Sequence, residues 1–250
     1  MVPLKRMIPE PMRALLRRLR RPGAIRPGEK GVHELQFWES WVQDTGPEPE
    51  TDYYRKFMMD MGHIDDVAFF DGKVCLDIGC GPKGSLTWLS NAKAAIGLDP
   101  LVESYMKFGI ARHNMLYLAA SAERIPLPSG YVDVLFSMNS LDHVDDLDTA
   151  CAEIRRVLKP GKHFIASLNL NEPATATEPW TLTEPYLRTH LFAGWIEEFA
   201  MIRPRLSSNE HFGPYAYFYE ECPPELLTAE GPKAMWCRFR KPEGMGEAPE

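Results

Sequence analysis

The chain has 250 residues, a hydrophobic fraction of 44% and a net charge of −7. That length suits one α/β domain with additions at its ends. No apolar run is long enough to span a membrane, the first residues lack the pattern of a secretory signal, and five cysteines without a C-x-x-C pair argue against a disulfide framework or a zinc cluster, so a cytoplasmic protein is expected.

The charge is uneven. Residues 1–30 carry nine Lys/Arg and two Glu, a net +7, whereas the rest carries 19 basic and 33 acidic side chains, a net −14. In this basic arm (residues 1–31) Met12, Leu15, Leu16 and Leu19 recur at helical spacing among arginines, before the Pro/Gly-rich stretch Pro22 to Gly31. It reads either as a partly disordered, solvated arm or as an amphipathic helix making peripheral contact with an anionic membrane. The acidic body that follows argues against a nucleic-acid partner. Residues 32–45 are predicted to be helical, with Leu35, Trp38 and Val42 on one side and Phe37 and Trp41 adding aromatic surface. A second helix is expected within 52–70, ending near Gly62.

From Lys73 short apolar runs alternate with helical segments. Strands are predicted at 74–78, 94–98, 116–118, 132–136 and 163–167, and helices around 84–91, 101–113 and 146–158, with Lys159-Pro160-Gly161-Lys162 turning into the fifth strand. Such alternation specifies right-handed βαβ units and a mostly parallel sheet with helices on both faces. Beyond 170, a helix at 181–193 and strands at 195–203 and 234–240 flank a Pro- and aromatic-rich insertion, 204–232, that is expected to choose the acceptor. The tail, 241–250, is expected to be disordered.

The stretch Asp77-Ile-Gly79-Cys-Gly81-Pro-Lys-Gly84-Ser85 follows a strand and is expected to open a helix. Its glycines permit close backbone approach to a ligand. Asp77 can accept from an ammonium group, and Asp99, at the end of the second strand, can accept from two ribose hydroxyls because a carboxylate has two acceptor oxygens. The glycines also satisfy G-x-G-x-x-G, which by itself fits a nicotinamide dinucleotide enzyme. An acid two residues before the first glycine suits an ammonium and repels a pyrophosphate.

With VCLDIGCGPKGS, IGLDP, ASAERIPLPSGYVDVLFSMNSLDHV and EIRRVLKPGKHFI in this order, residues 72–168 resemble the class I S-adenosylmethionine-dependent methyltransferases, in particular a methyltransferase type 11-like domain. The resemblance implies a seven-stranded Rossmann-like sheet, its seventh strand antiparallel between the fifth and sixth, in a domain over 32–240. It further implies that Asp77, Gly79 and Gly81 hold the methionine part of S-adenosyl-L-methionine and Asp99 its ribose. Ala122 or Glu123 would lie near the adenine, and Ser137 to Asn139 would line the transfer pocket. The chain departs from the family in having Ser121 where an acid is frequent, and in Pro82 and Lys83 within the loop.

Methyl transfer from a sulfonium is governed by alignment, and a hydroxyl acceptor also needs a base. His143, just beyond the fourth strand, is the candidate base, the alternative being a contact at the start of a helix. Asp142, Asp145 and Asp146 are read as a negatively charged helix start, and no metal is expected. His190 and His211 are weaker candidates. The aromatic run from His211 to Tyr219 could cap the acceptor or simply pack. Asn169 and Glu172 lie on the binding edge, and Phe37, Trp38 and Trp41 could form a lid. A hydroxyl of a sugar, glycan or other small polar metabolite is the expected acceptor. A lipid or quinone at a membrane surface is the rival, and a non-catalytic donor-binding protein the alternative of another class. Oligomeric state is not encoded in any feature of the sequence.

Overall fold

The structure, a computed structural model, describes residues 29–206 and 213–244. Residues 1–28 of the basic arm, His211 and residues 245–250 of the tail lie outside these. Two helices, α1 (Glu29–Thr45) and α2 (Thr51–Met61), precede β1 (Val74–Ile78) and β2 (Ala94–Leu98). Then follow α3 (Val102–Tyr105), β3 (Leu116–Leu118), β4 (Val132–Met138), α4 (Leu147–Val157), β5 (Leu158–Leu170), α5 (Glu184–His190), β6 (Ile196–Pro204), α6 (Pro224–Thr228) and β7 (Lys233–Arg240). The seven strands form one sheet in the order β3-β2-β1-β4-β5-β7-β6. The first five run parallel, and β7 inserts antiparallel between β5 and β6.

Period-two alternation divides the core between the faces. Leu76, Ile78, Phe164, Ala166 and Leu168 pack with Leu147, Cys151 and Ile154 of α4 on one side. Cys75, Phe136, Ile165 and Trp236 pack with Phe57, Met58 and Met61 of α2 on the other. Asp77 shares strand parity with Cys75, and Ser167 and Asn169 share it with Ile165. These polar side chains therefore stand on the α2 face, at the carboxyl ends of their strands, where open α/β sheets bind ligands. No described helix is long and apolar enough to cross a membrane.

Several predicted elements differ. The helix expected at 84–91 is a run of turns. Gly84 has φ +71°, and side chains take the backbone acceptors that a helix would use: Thr87 Oγ1 donates to Gly84 O at 2.8 Å and Trp88 Nε1 to Ser85 O at 2.8 Å. An eight-residue helix has little with which to offset its nucleation cost. The helix expected at 101–113 shrinks to α3 and two 3-10 turns, because Gly109 at φ +85° interrupts it. Residues 159–162 extend β5 rather than only turning into it: Leu158 pairs with Val132, and Gly161, at φ +72°, lies within the strand. The helix expected at 181–193 is confined to α5, capped by Thr183 Oγ1 on Tyr186 N. At the tail, Lys241 N donates to Lys162 O at 2.9 Å, so pairing continues past β7.

Candidate donor and acceptor site

Asp77, the penultimate residue of β1, is 2% exposed. Its Oδ2 accepts from Ser85 Oγ at 2.5 Å, while Oδ1 is buried with no partner. Burial pushes its pKa up to about 7; the Ser85 bond opposes this and the nearby Asp99 charge adds to it. A buried acceptor without a donor is costly unless a ligand supplies one. Asp99, also buried, accepts from Gly81 N at 3.1 Å and from Leu101 N at 2.8 Å. Burial raises it to about 6, against the pull of those two amides, with Glu34 raising it further. Two carboxylates thus flank the glycine turn, one with a lone pair unmet and the other with lone pairs to spare.

Gly79 and Gly81 have φ of +70° and +57°. A Cβ at Gly79 would stand 2.4 Å from Ser140 Cβ, and one at Gly81 2.6 Å from the Trp38 ring. The close approach that these glycines allow is therefore to other parts of the chain as well as to a ligand. With turns replacing the expected helix, the loop does not run on into a helix of its own. Trp38 makes α1 a cover over Gly81, whereas Phe37 and Trp41 are exposed. Lys83, 1% exposed, fastens the cover: its Nζ donates to Gly46 O at 2.7 Å and Thr45 Oγ1 at 3.1 Å and pairs with Glu50 at 3.3 Å.

The remaining sequence candidates separate. Ala122 is buried in a 3-10 turn after β3. Glu123 Oε1 accepts from Asp145 N at 2.7 Å and Asp146 N at 3.2 Å, so its carboxylate caps that turn. Ser137 is fully buried and shares a 2.8 Å hydrogen bond with Ser140, which in turn donates to Ile78 O at 2.7 Å; it braces β4 against β1. Asn139, at φ +48°, leads away from β4; its Nδ2 donates to Tyr215 Oη and its Oδ1 accepts from Ser167 Oγ at 3.2 Å. Asn169 Oδ1 is buried without a partner, and Glu172 accepts from Arg205 Nη1. Together these form a polar patch at the ends of β4 and β5.

His143 is held from outside the expected core. Its Nδ1 meets Glu34 Oε1 of α1 at 2.6 Å, and since a carboxylate only accepts, Nδ1 carries the hydrogen. Its Nε2 lies 3.5 Å from Glu178 Oε1 and 3.9 Å from Asp142 Oδ1. Burial lowers the imidazole pKa, but the Glu34 bond and the charges of Asp142, Glu34 and Glu178 outweigh it and the net shift is upward. Asp142 is 4% exposed, and burial lifts it to about 6, against the pull of His143. The three acids around His143 therefore differ. Asp146 caps α4 through Thr149 N at 3.0 Å, Asp145 is exposed and paired with Lys30 at 2.8 Å, and Asp142 is an interior carboxylate rather than part of a charged helix start. His190 is a surface residue, stacked on Tyr186 and 3.1 Å from Asp148. Glu34, Lys83, Glu178 and Arg205 were missed by sequence reasoning. Only the interior position of Lys83 within the glycine loop gave any hint.

The strand order, the antiparallel β7 and the paired acids at the ends of β1 and β2 define the class I S-adenosylmethionine-dependent methyltransferase fold. A family model described as a methyltransferase domain matches residues 76–166, and the chain carries such a domain, whose cofactor is S-adenosyl-L-methionine. It is similar to a sterol 4-C-methyltransferase of Caenorhabditis elegans, 31% identical over 99 residues, 36% of this chain and 29% of that one. A fatty-acid O-methyltransferase of Mycolicibacterium smegmatis is 27% identical over 126 residues, 48% of this chain and 46% of that one. The matched stretches thus span less than half of these curated relatives. The crystal structure of the [4+2]-cyclase SpnF superposes with a TM-score of 0.57 at 17% identity, covering 90% of this chain and 100% of that one. At that identity the match concerns the fold alone.

Proposed function

We propose that the chain transfers a methyl group from S-adenosyl-L-methionine to an oxygen of a small acceptor, a hydroxyl of a sugar or similar polar metabolite. The observation that carries the donor side is the unmet, buried Oδ1 of Asp77 beside the Gly79–Gly81 turn. The bound cofactor supplies an activated methyl group. Asp77 holds its ammonium group and Asp99 its ribose hydroxyls, Gly79 and Gly81 let the backbone approach, and the segment of Ala122 and Glu123 walls the adenine side. Trp38 excludes water from above the loop. Ser137 braces the transfer pocket, and Asn139, with Ser167, Asn169 and Tyr215, orients the polar acceptor. His143 governs the acceptor's proton.

A second reading has a lipid or quinone as acceptor. The similarity to a sterol 4-C-methyltransferase, a fatty-acid O-methyltransferase and a ubiquinone/menaquinone biosynthesis C-methyltransferase favours it. The deciding experiment measures the demethylated thioether product with a panel of sugars, fatty acids and quinols, alongside calorimetric binding of S-adenosyl-L-methionine. Product with a sugar or polyol supports the first reading, and product only with apolar acceptors replaces it with the second. Saturable donor binding without turnover on any acceptor leaves a binding protein, and absence of donor binding by the folded chain refutes the proposal. Under the lipid reading, deletion of residues 1–30 abolishes liposome binding.

A further inference from the structure

We propose that Asp142, His143 and Glu178 bind a divalent transition-metal ion such as Zn²⁺ or Mn²⁺. The argument begins with the tautomer. Nδ1 of His143 is committed as a donor to Glu34 at 2.6 Å, so the neutral ring points the Nε2 lone pair toward two carboxylates. Three electron-rich atoms facing one another need a positive charge between them. A proton on Nε2 is poorly placed to supply it: the separations, 3.5 Å to Glu178 and 3.9 Å to Asp142, lie at or beyond the limit of an N–H···O bond. The shorter of the two equals the separation of neighbouring ligands around an ion, and the longer exceeds it by about 0.4 Å. Ligands about 2.0–2.2 Å from a metal stand roughly 3.0–3.5 Å apart in octahedral to tetrahedral arrangements. All three ligand atoms lie within 4.8 Å of one another.

Two further observations point the same way. Asp142 Oδ1 is buried and has no hydrogen-bond partner, an unmet acceptor aimed into the cluster. Glu34 also stands where metal-bound histidines usually have a carboxylate, on the far ring nitrogen, fixing the tautomer and orientation. The loop that carries Glu178 is anchored: Trp180 Nε1 donates to Val144 O at 2.9 Å and Trp180 N to Asp142 O at 3.4 Å. Glu178 is therefore delivered to the cluster by packing. Three protein ligands leave coordination positions for an acceptor oxygen, whose proton a metal makes easier to lose to solvent water. That last role rests on the function proposed above and makes His143 a ligand; ion binding itself does not rest on it.

The test titrates the chelator-treated protein with Zn²⁺ and with Mn²⁺, with no donor or acceptor present. Stoichiometric binding is expected, together with a metal-dependent rise in melting temperature. Glu178→Gln and Asp142→Asn should each weaken it at least tenfold, while Asp52→Asn, an exposed surface acid, leaves it unchanged. Circular dichroism confirms folding of each variant, and a Zn²⁺-induced shift of the His143 Nε2 resonance, with the other histidine rings unmoved, gives a readout independent of the carboxylate substitutions. No binding at millimolar ion, or equal affinity in all variants, overturns the site. Methyl transfer that survives chelation but is lost in His143→Ala refutes the ion's part in the reaction and leaves His143 as the base. Specific ion binding without methyl transfer sustains the site and refutes the activity instead.

Discussion

Replacing Asp77 by Asn tests the donor site on two axes at once. The side chain keeps its shape and its bond with Ser85, but loses its charge. In the ligand-free chain the aspartate is held at about 7 by burial, above its value of 3.8 in an unfolded chain. A raised acid subtracts stability. The penalty is full above about pH 7, is relieved as pH falls from about 7 to about 4, and amounts to on the order of 4 kcal/mol. Asn escapes it but leaves an NH₂ at the unmet Oδ1 position, a loss of about 1–3 kcal/mol. A net gain of about 1–3 kcal/mol at pH 8 is expected, at about 2–4 °C per kcal/mol in a chain of this size. The ammonium of the donor pairs only with the charged form, so Asp77→Asn should weaken donor binding by about 10- to 100-fold, as for a lost charge-assisted hydrogen bond. In the unaltered protein affinity should fall about tenfold between pH 8 and pH 6, and in Asp77→Asn it should stay flat. Calorimetric titration with S-adenosyl-L-methionine at three pH values, with scanning calorimetry of the free proteins, measures both. A destabilised Asp77→Asn that binds the donor as tightly as before would refute the reasoning.

Asp99→Ala should weaken donor affinity by well over tenfold through loss of the carboxylate that meets the ribose; unchanged calorimetric affinity would remove that assignment. Gly81→Ala places a methyl 2.6 Å from Trp38 at φ +57° and should cost about 1–3 kcal/mol in denaturant unfolding, part of which Trp38→Ala restores in the double variant. His143→Ala should lower turnover at least 100-fold while leaving donor affinity within twofold, and full turnover would dismiss His143. Lys83→Met should loosen α1, seen as faster hydrogen exchange across residues 29–50 with the sheet amides unaffected.

The strands and the two donor acids were legible in the sequence because both depend on local pattern. A buried parallel strand must be a short apolar run, and Asp77 and Asp99 each end one. α4 was equally plain: Leu147, Ala150, Cys151, Ile154 and Val157 recur at helical spacing behind an Asp146 cap. The antiparallel place of β7 came from family resemblance, since nothing local to residues 233–240 states which strands they join. The segment after β1 was misread because apolar Leu86 and Leu89 suit a helix, while the choice between helix and turns depended on hydrogen bonds of Thr87 and Trp88 that periodicity does not weigh.

What only the tertiary structure decided is the company each functional side chain keeps. His143 was visible as a polar residue near a binding edge. That Glu34, 109 positions earlier, fixes its tautomer, and that Glu178 meets its other nitrogen, follows from α1 folding over the carboxyl edge of the sheet and from Trp180 pinning a distant loop. Glu123 and Ser137 changed meaning for the same reason: one caps a turn and the other braces two strands. Sequence determines which residues can form a strand, a cap or a glycine turn, because those depend on neighbours a few positions away. Burial, unmet hydrogen bonds and facing charges depend on which chain segments meet in space, and packing of the whole sheet decides that.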